Sequence, residues 1–205
     1  MKAACAVIVM AKAPLPGYAK TRLIPALGAA GAARLAARLL DHAMAQALAA
    51  DLGVVELCCA PNAQEPAFAV WRAQAGSVQL TTQSPGDLGQ RMRTAFACRL
   101  EQGGAALMIG TDAPALNAPM LQLAAAALHS ADAVLVPALD GGYALIGLRR
   151  PLPELFADMP WSTPGLLDAT RARLLDLGLR HTELPPVADI DAPADLQHLP
   201  PGWWT

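Results

Sequence analysis

Residues 4–23 read "ACAVIVMAKAPLPGYAKTRL", and the join in the middle of this stretch decides the fold. Ala4–Met10 is an unbroken run of small and apolar residues. It lacks polar alternation, as a strand covered on both faces should. Directly behind it, Lys12 to Leu23 carries three cations, two prolines and a glycine. Pro14, Pro16 and Gly17 predict a stiff, turned connection. From Ala29 to Ala50, Arg34, Arg38, Asp41, His42 and Gln46 recur at helical spacing beside an alanine- and leucine-rich inner face. Strand, turn and helix in this order are the first unit of an α/β fold.

The pattern repeats along the chain. Gly53–Ala60, Val78–Thr81, Ala105–Gly110, Ala133–Ala138 and Tyr143–Leu148 are further short apolar runs that predict strands. A helix is expected over Asp87–Gln102, with Leu88, Met92, Ala95, Phe96 and Leu100 as its apolar stripe and Asp87 with Gln90 as a capping box. Thr163-Pro164 predicts the N-cap and first position of another helix bearing Leu167, Thr170, Leu174 and Leu175, and Gly178 its stop. Strands alternating with helices imply a mostly parallel, doubly wound sheet with helices on both faces. A chain of 205 residues fits one domain, 1–205, of this kind. The closing "LPPGWWT" is read as a strapped-down or frayed end, and Trp203-Trp204 as covering the core or meeting a second subunit.

Composition narrows the function. A net charge of −2 argues against a sequence-independent grip on nucleic acid, and 4% aromatic residues against a base-stacking surface. No apolar run approaches the roughly 20 residues that span a bilayer, so no membrane contact is expected. Lys2, Ala3–Met10 and Ala11-Lys12-Ala13 have the outline of a miniature signal peptide, but the apolar part reads equally well as a buried strand. Cys5, Cys58, Cys59 and Cys98 have neither zinc-ligand nor disulfide-framework spacing, which favours the cytoplasm. Cys58 and Cys59 should point to opposite faces of one strand.

In a doubly wound sheet, ligands bind outside the carboxyl ends of the strands. Three stretches fall there. Lys20 and Arg22 follow the turned first loop, which suits an anion; it is neither a Walker loop nor a GxGxxG fingerprint, and an ordinary turn with solvated cations is the alternative. "LMIGTDAPAL", residues 107–116, puts Asp112 at a strand tip, a natural place for a Mg²⁺ or Mn²⁺ ligand or else a helix cap. "VADIDAPADL", residues 187–196, alternates Asp189 and Asp191 on one face of an extended segment, to share a cation or to cap the helix expected over Pro193–His198. Arg91 and Arg93 read as a solvated helix face, Trp161 as packing and Gly141-Gly142 as a possible hairpin turn. His42, His129, His181 and His198 have no partner at metal or triad spacing.

Taken together, "AKAPLPGYAKTRL", "GDLGQRM" with Phe96 after it, "GTDAPAL", "PALDGGYALIGL", "LF" with the following "WST" at 161–163, and "DIDAPADL" are the pieces of a recognisable pattern. It resembles the bacterial family of radical-SAM- and selenodomain-associated transferases, of the arsenosugar-biosynthesis type, over nearly the whole chain. That family is similar to the GT-A superfamily of nucleotide-diphospho-sugar transferases and nucleotidyltransferases, including the phospholactate guanylyltransferases. The resemblance implies a single GT-A-like, Rossmann-like domain that takes a nucleotide or nucleotide-sugar donor and a small-molecule acceptor. By position it implies a nucleotide held by Ala11, Lys12, Pro16, Gly17, Lys20, Arg22 and Thr111, with Gln83, Leu88 and Gly89 at the base. Lys20 and Arg22 would neutralise phosphate, and Asp112, Asp189 and Asp191 would hold a divalent cation, Mg²⁺ or Mn²⁺. Asp140, Gly141, Gly142, Ser162 and Thr163 would frame the acceptor, with Asp140 as general base. Asp112-Ala113-Pro114 offers one acid where GT-A glycosyltransferases carry DxD, and prolines replace most glycines of the nucleotidyltransferase loop. Glycosyl transfer is the first expectation, nucleotidyl transfer the second, and a non-catalytic nucleotide-binding module the third.

Overall fold

The computed structural model describes residues 5–74 and 76–203; Lys2, Ala3, Ala4 and Trp204, which enter the readings above, lie outside the described residues. β1 (Cys5–Lys12) continues past the expected Met10 to Lys12. A 3₁₀ turn at Thr21–Leu23 leads into α1 (Ile24–Ala49), which is broken at Gly28, where φ 68 and ψ 164 leave helical space. The unbroken helix therefore begins at Ala29, where the polar spacing placed it. β2 (Val55–Ala60) and β3 (Val78–Thr82) are joined through the four-residue α2 (Ala69–Arg72). α3 (Leu88–Leu100) opens on the expected capping box: the Gln90 amide donates to Asp87 Oδ1 at 2.8 Å and the Asp87 amide to Gln90 Oε1 at 3.2 Å.

β4 (Ala105–Ile109) is followed by α4 (Ala118–Ala127), a helix the sequence reading did not single out, capped by Asn117. β5 (Ala133–Pro137) and β6 (Tyr143–Leu148) follow, then α5 (Leu166–Asp176) and the unanticipated three-residue β7 (His181–Glu183). Two expectations are corrected here. The N-cap of α5 is Gly165, because the Thr163 hydroxyl donates back to the Pro160 carbonyl at 2.8 Å. Pro193–His198 is a 3₁₀ helix whose N-cap is Ala192, so Asp191 does not cap it.

The seven strands lie in the order β3-β2-β1-β4-β6-β5-β7. β6 runs antiparallel to both neighbours, and all other pairings are parallel. The fold is thus a single α/β domain with a mostly parallel sheet and helices on both faces. Alternation along β1 sends Val7, Val9 and Ala11 into the layer under α1 and α4, and Ala6 and Ile8 into the layer with α3 and α5. Cys58 and Cys59 divide between these two layers as expected. A third, smaller cluster holds Leu23, Ala32, Leu35, Leu39 and Ile190, with Leu196, Leu199 and Trp203 against it. Of the two roles considered for the tail, Trp203 takes the covering one: Arg38 lies 4.9 Å above its ring, and His42 meets it edge-on at 5.0 Å.

One helical stretch, Thr21–Ala49, is long and apolar enough to cross a membrane by length and composition, contrary to the expectation that none approaches that size. Here it is a core helix, with Leu35, Leu39 and Met44 fully buried. Each such side chain contributes about 1.5–3 kcal/mol by leaving water.

Strand order also locates the crevice. The chain steps from β1 outward to β3 and then returns to place β4 on the other side of β1. β1 and β4 are adjacent and parallel, so the loops that follow them share the carboxyl edge of the sheet at the point where the strand order reverses, which is where α/β folds place a ligand cleft.

Candidate functional site

The loops after β1 and β4 carry Lys20 and Asp112 to this cleft. The first loop is built as its prolines require: the Leu15 amide bonds the Ala13 carbonyl at 2.7 Å, and the Tyr18 and Ala19 amides both return to Leu15. Pro16 and Gly17 sit exposed at its tip, as does Lys12 at the end of β1. The loop closes on Lys20, a non-glycine residue in the left-handed region with φ 51 and ψ 41. Such a conformation persists only where surrounding contacts enforce it.

The Lys20 side chain then brings three acceptors onto one ammonium. Lys20 Nζ stands 2.5 Å from Asp112 Oδ1, 2.8 Å from Asp191 Oδ1 and 2.6 Å from the Ile190 carbonyl. The lysine side chain is only 7% exposed, whereas those of Asp112 and Asp191 are 44% and 40% exposed. Burial alone would lower the Lys20 pKa, but attraction and hydrogen bonding to the two carboxylates outweigh it and raise it. Arg22, 72% exposed, adds a second cation with Nη1 3.8 Å from Asp191 Oδ2.

Two ties bring the distant acids together. The Ile190 amide donates to the Asp112 carbonyl at 2.9 Å, stitching segment 187–192 to the loop after β4. Ile190 itself is fully buried against Leu23, Leu35 and Leu39, so Asp189 and Asp191 on either side are turned outward. Asp195 Oδ2 then accepts the amides of Asp191 and Ala192 at 3.0 and 2.6 Å. The loop after β4 is also held from α1, where His42 Nε2 lies 2.9 Å from the Pro114 carbonyl. In the sequence His42 has a place on the first helix but no partner, and Asp195 has no role. The partner of His42 is a backbone carbonyl 72 positions away, which no residue pattern announces, whereas Asp195 accepts amides only three and four positions back, a local capping signal that the sequence does carry.

Asp189 makes no ion pair with Lys20, unlike Asp112 and Asp191. Burial, followed by the charge of Asp140 and then those of Asp191 and Asp195, pushes its carboxyl up to about 6. Among the described residues, no three His, Cys, Asp or Glu side chains gather closely enough to hold a metal ion. Two of the three aspartates expected at a metal thus meet on a lysine, and the third makes no ion pair with it.

The remaining expected positions divide. Thr111 Oγ1 lies 3.2 Å from Asp112 Oδ1. Gln83 does not present a free amide edge: Nε2 donates to the carbonyls of Ala11 and Cys58 at 3.2 and 3.0 Å, and Oε1 lies 3.4 Å from Arg91 Nη1. Arg91 thereby joins this network rather than standing wholly in solvent. Leu88 is 43% exposed at the start of α3. Gly89 permits close packing, since a Cβ there would stand 2.6 Å from both the Phe156 carbonyl and Trp161 Nε1. Trp161 packs as expected, stacked on Phe156 with ring centroids 6.4 Å apart.

Asp140, Gly141 and Gly142 form the β5–β6 turn, with the Gly142 amide on Asp140 Oδ1 at 2.8 Å. Gly141, at φ 92, is required by close approach: a Cβ would fall 2.2 Å from the Pro164 carbonyl. The Leu167 amide donates to the Gly141 carbonyl at 2.9 Å. The turn is therefore sealed to the start of α5, beside Ser162, itself left-handed at φ 62, and Thr163.

A profile of a bacterial protein family, described as "Uncharacterized protein conserved in bacteria (DUF2064)", matches residues 39–163. The chain belongs to the DUF2064 family. The matched stretch contains Asp112 and the Asp140–Gly142 turn but neither Lys20 nor Asp191. No curated protein matches this DUF2064 chain in sequence. A crystal structure from Desulfovibrio desulfuricans G20, described as a candidate nucleotide-diphospho-sugar transferase, is similar at TM-score 0.85 and 28% identity, over 94% of this chain and 84% of that one. A 4-diphosphocytidyl-2C-methyl-D-erythritol synthase shares the fold at TM-score 0.63 and 13% identity, over 96% of each chain. A CMP:2-keto-3-deoxy-manno-octonic acid synthetase, complexed with CTP, does so at TM-score 0.59 and 11% identity, over 95% of each chain. The DUF2064 domain thus has the architecture of nucleotide-diphospho-sugar transferases and nucleotidyltransferases.

Proposed function

We propose that the protein is a transferase acting on a nucleotide-activated donor, with the donor's polyphosphate held at the cleft between β1 and β4. The observation that carries this reading is the convergence of Lys20, Asp112 and Asp191 at the strand switch point, with Arg22 beside them. The fold shared with nucleotide-diphospho-sugar transferases and nucleotidyltransferases supports it.

The carboxylates suit a divalent cation. Asp112 and Asp191 come from remote segments yet place hard oxygens around one positive charge, which is the donor chemistry Mg²⁺ or Mn²⁺ takes. These two would hold the ion, with Asp189 close by in the chain. When bound, it would supply Lewis-acid neutralisation of phosphate oxygens. The protein's own part is electrostatic. Lys20 and Arg22 meet the phosphates, and their charge stabilises the negative charge that grows on the leaving group as its bond breaks. Lys12, Pro16, Gly17 and Thr111 line the approach and Leu88 flanks the nucleotide, with buried Ala11 and Gly89 packed behind them. On the acceptor side, Asp140 is oriented by the Gly142 amide to take a hydroxyl proton, beside Gly141, Ser162 and Thr163.

Transfer from a nucleotide-diphospho-sugar is the first reading. Nucleotidyl transfer is the second, favoured by the single acid at Asp112-Ala113-Pro114. Product analysis separates them over a panel of UDP-, GDP- and dTDP-sugars, GTP and CTP with Mg²⁺ or Mn²⁺. Nucleoside diphosphate release marks sugar transfer, and pyrophosphate release marks nucleotidyl transfer. Tight nucleotide binding with neither product would mark a binding module and overturn the catalytic reading.

A further inference from the structure

Resting on the reading of the cleft as a polyphosphate and metal site, we propose that Lys20 is a displaceable internal counter-ion. Its ammonium keeps a divalent cation off Asp112 and Asp191 until a polyphosphate draws it away, so metal and polyphosphate bind cooperatively. An ammonium has three donors. In Lys20 all three have acceptors, at Asp112 Oδ1, Asp191 Oδ1 and the Ile190 carbonyl. The inner oxygens of both carboxylates are thereby committed to a monovalent charge that the protein itself supplies.

The arrangement also separates what is fixed from what can move. Asp191 is held by buried Ile190 and by Asp195, and its segment is stitched to Asp112 through the Ile190 amide. Lys20 stands on a flexible four-carbon stem, and it rises from a left-handed backbone position at the end of the loop. The two carboxylates, 44% and 40% exposed, are about six times more open to solvent than the lysine beneath them at 7%. A dication arriving from solvent therefore meets exposed outer oxygens and a buried positive charge behind them, and like charges repel at this range. Phosphate oxygens offer the ammonium an alternative partner of the same sign as the aspartates. Once Lys20 turns to them, the inner oxygens are free for a cation that the phosphates also attract. By linkage, each ligand must raise the affinity of the other by the same factor.

The test uses Mn²⁺ alone, with no nucleotide present, measured by loss of the free-ion electron paramagnetic resonance signal. Lys20→Met and Lys20→Gln should each bind Mn²⁺ more tightly than the wild type, by roughly 5- to 150-fold, the usual span of a coupling between two sites. Adding Asp112→Asn to either should abolish the gain. An unchanged or weakened Mn²⁺ affinity in both lysine variants would overturn the proposal, as would a gain that survives Asp112→Asn. Melting curves accompany the titrations. If neither variant folds, Lys20 is a structural cation and not a displaceable one, and the proposal falls. The functional reading fails separately, when the wild-type protein binds no nucleotide of the donor panel with or without metal.

Discussion

A buried ammonium beneath two half-exposed carboxylates is a residue-scale device with a measurable consequence. Lys20→Ala should weaken nucleotide binding by about 1.5–3 kcal/mol, the worth of a charged hydrogen bond, or roughly 10- to 150-fold. The aspartates left behind remain in contact with water, so the melting temperature without ligand should move little. Isothermal titration with the preferred donor, beside a thermal melt, checks both parts. Asp189 gives a prediction in pH. Its carboxyl is raised to about 6 by burial and by Asp140, so the folded chain binds that proton more tightly than the unfolded chain does. Its contribution to stability therefore rises as pH falls from about 6 towards about 3.9, the unperturbed value, and is unfavourable above that window. Asp189→Asn should melt above the wild type at pH 7–8, and the difference should shrink or reverse by about pH 4, as a pH series of thermal melts would read.

Between elements, the most buried ion pair among the described residues lies away from the carboxyl ends of the strands. Arg99 on α3 reaches under the sheet to Glu56 on β2, with Nη2 2.5 Å and Nε 2.9 Å from Oε2. Thr81 and Gln79 of β3 complete the network at 2.6 and 2.8 Å. Both charged side chains are nearly inaccessible, at 6% and 5%. Removing one partner strands the other, so Arg99→Met alone should destabilise the fold by about 3–5 kcal/mol in a urea titration, while Glu56→Leu with Arg99→Met should recover much of that loss. The pair ties α3 to the strands whose far ends carry Gln83. Gln83 in turn spends its amide on the carbonyls of Ala11 and Cys58, and so braces the mouth of β1 instead of offering an edge to a base.

At the scale of the whole molecule, the C-terminal segment closes the structure over α1 and delivers Asp191 to Lys20. Arg38 donates to the carbonyls of Gly202 and Trp203 at 3.2 and 3.0 Å, and His42 bridges Trp203 to the loop that bears Asp112. Trp203→Ala should therefore act in two places. It should cost about 1–3 kcal/mol of stability through lost packing, and it should weaken metal-dependent nucleotide binding although Trp203 touches no part of the cleft. Denaturant unfolding and nucleotide titration of the same variant check the pair of effects; an unaltered titration would separate the tail from the site.

Strand runs, helix spacing, the capping box at Asp87 and the helix stop at Gly178 were set by the sequence, because each depends on neighbours within a turn or two of chain. So was the address of the cleft, since prolines, a glycine and cations after a buried strand are unlike ordinary core sequence. Only the tertiary structure decided that β6 runs against its neighbours, that Thr163 turns back to Pro160, and that Asp191 serves Lys20 rather than a helix end. It alone showed that Asp189, unlike the other two aspartates, has no ion pair with Lys20. The reason is physical: a carboxylate's partner is chosen by what burial and backbone pairing bring within about 3 Å, and those contacts join residues that the chain keeps far apart.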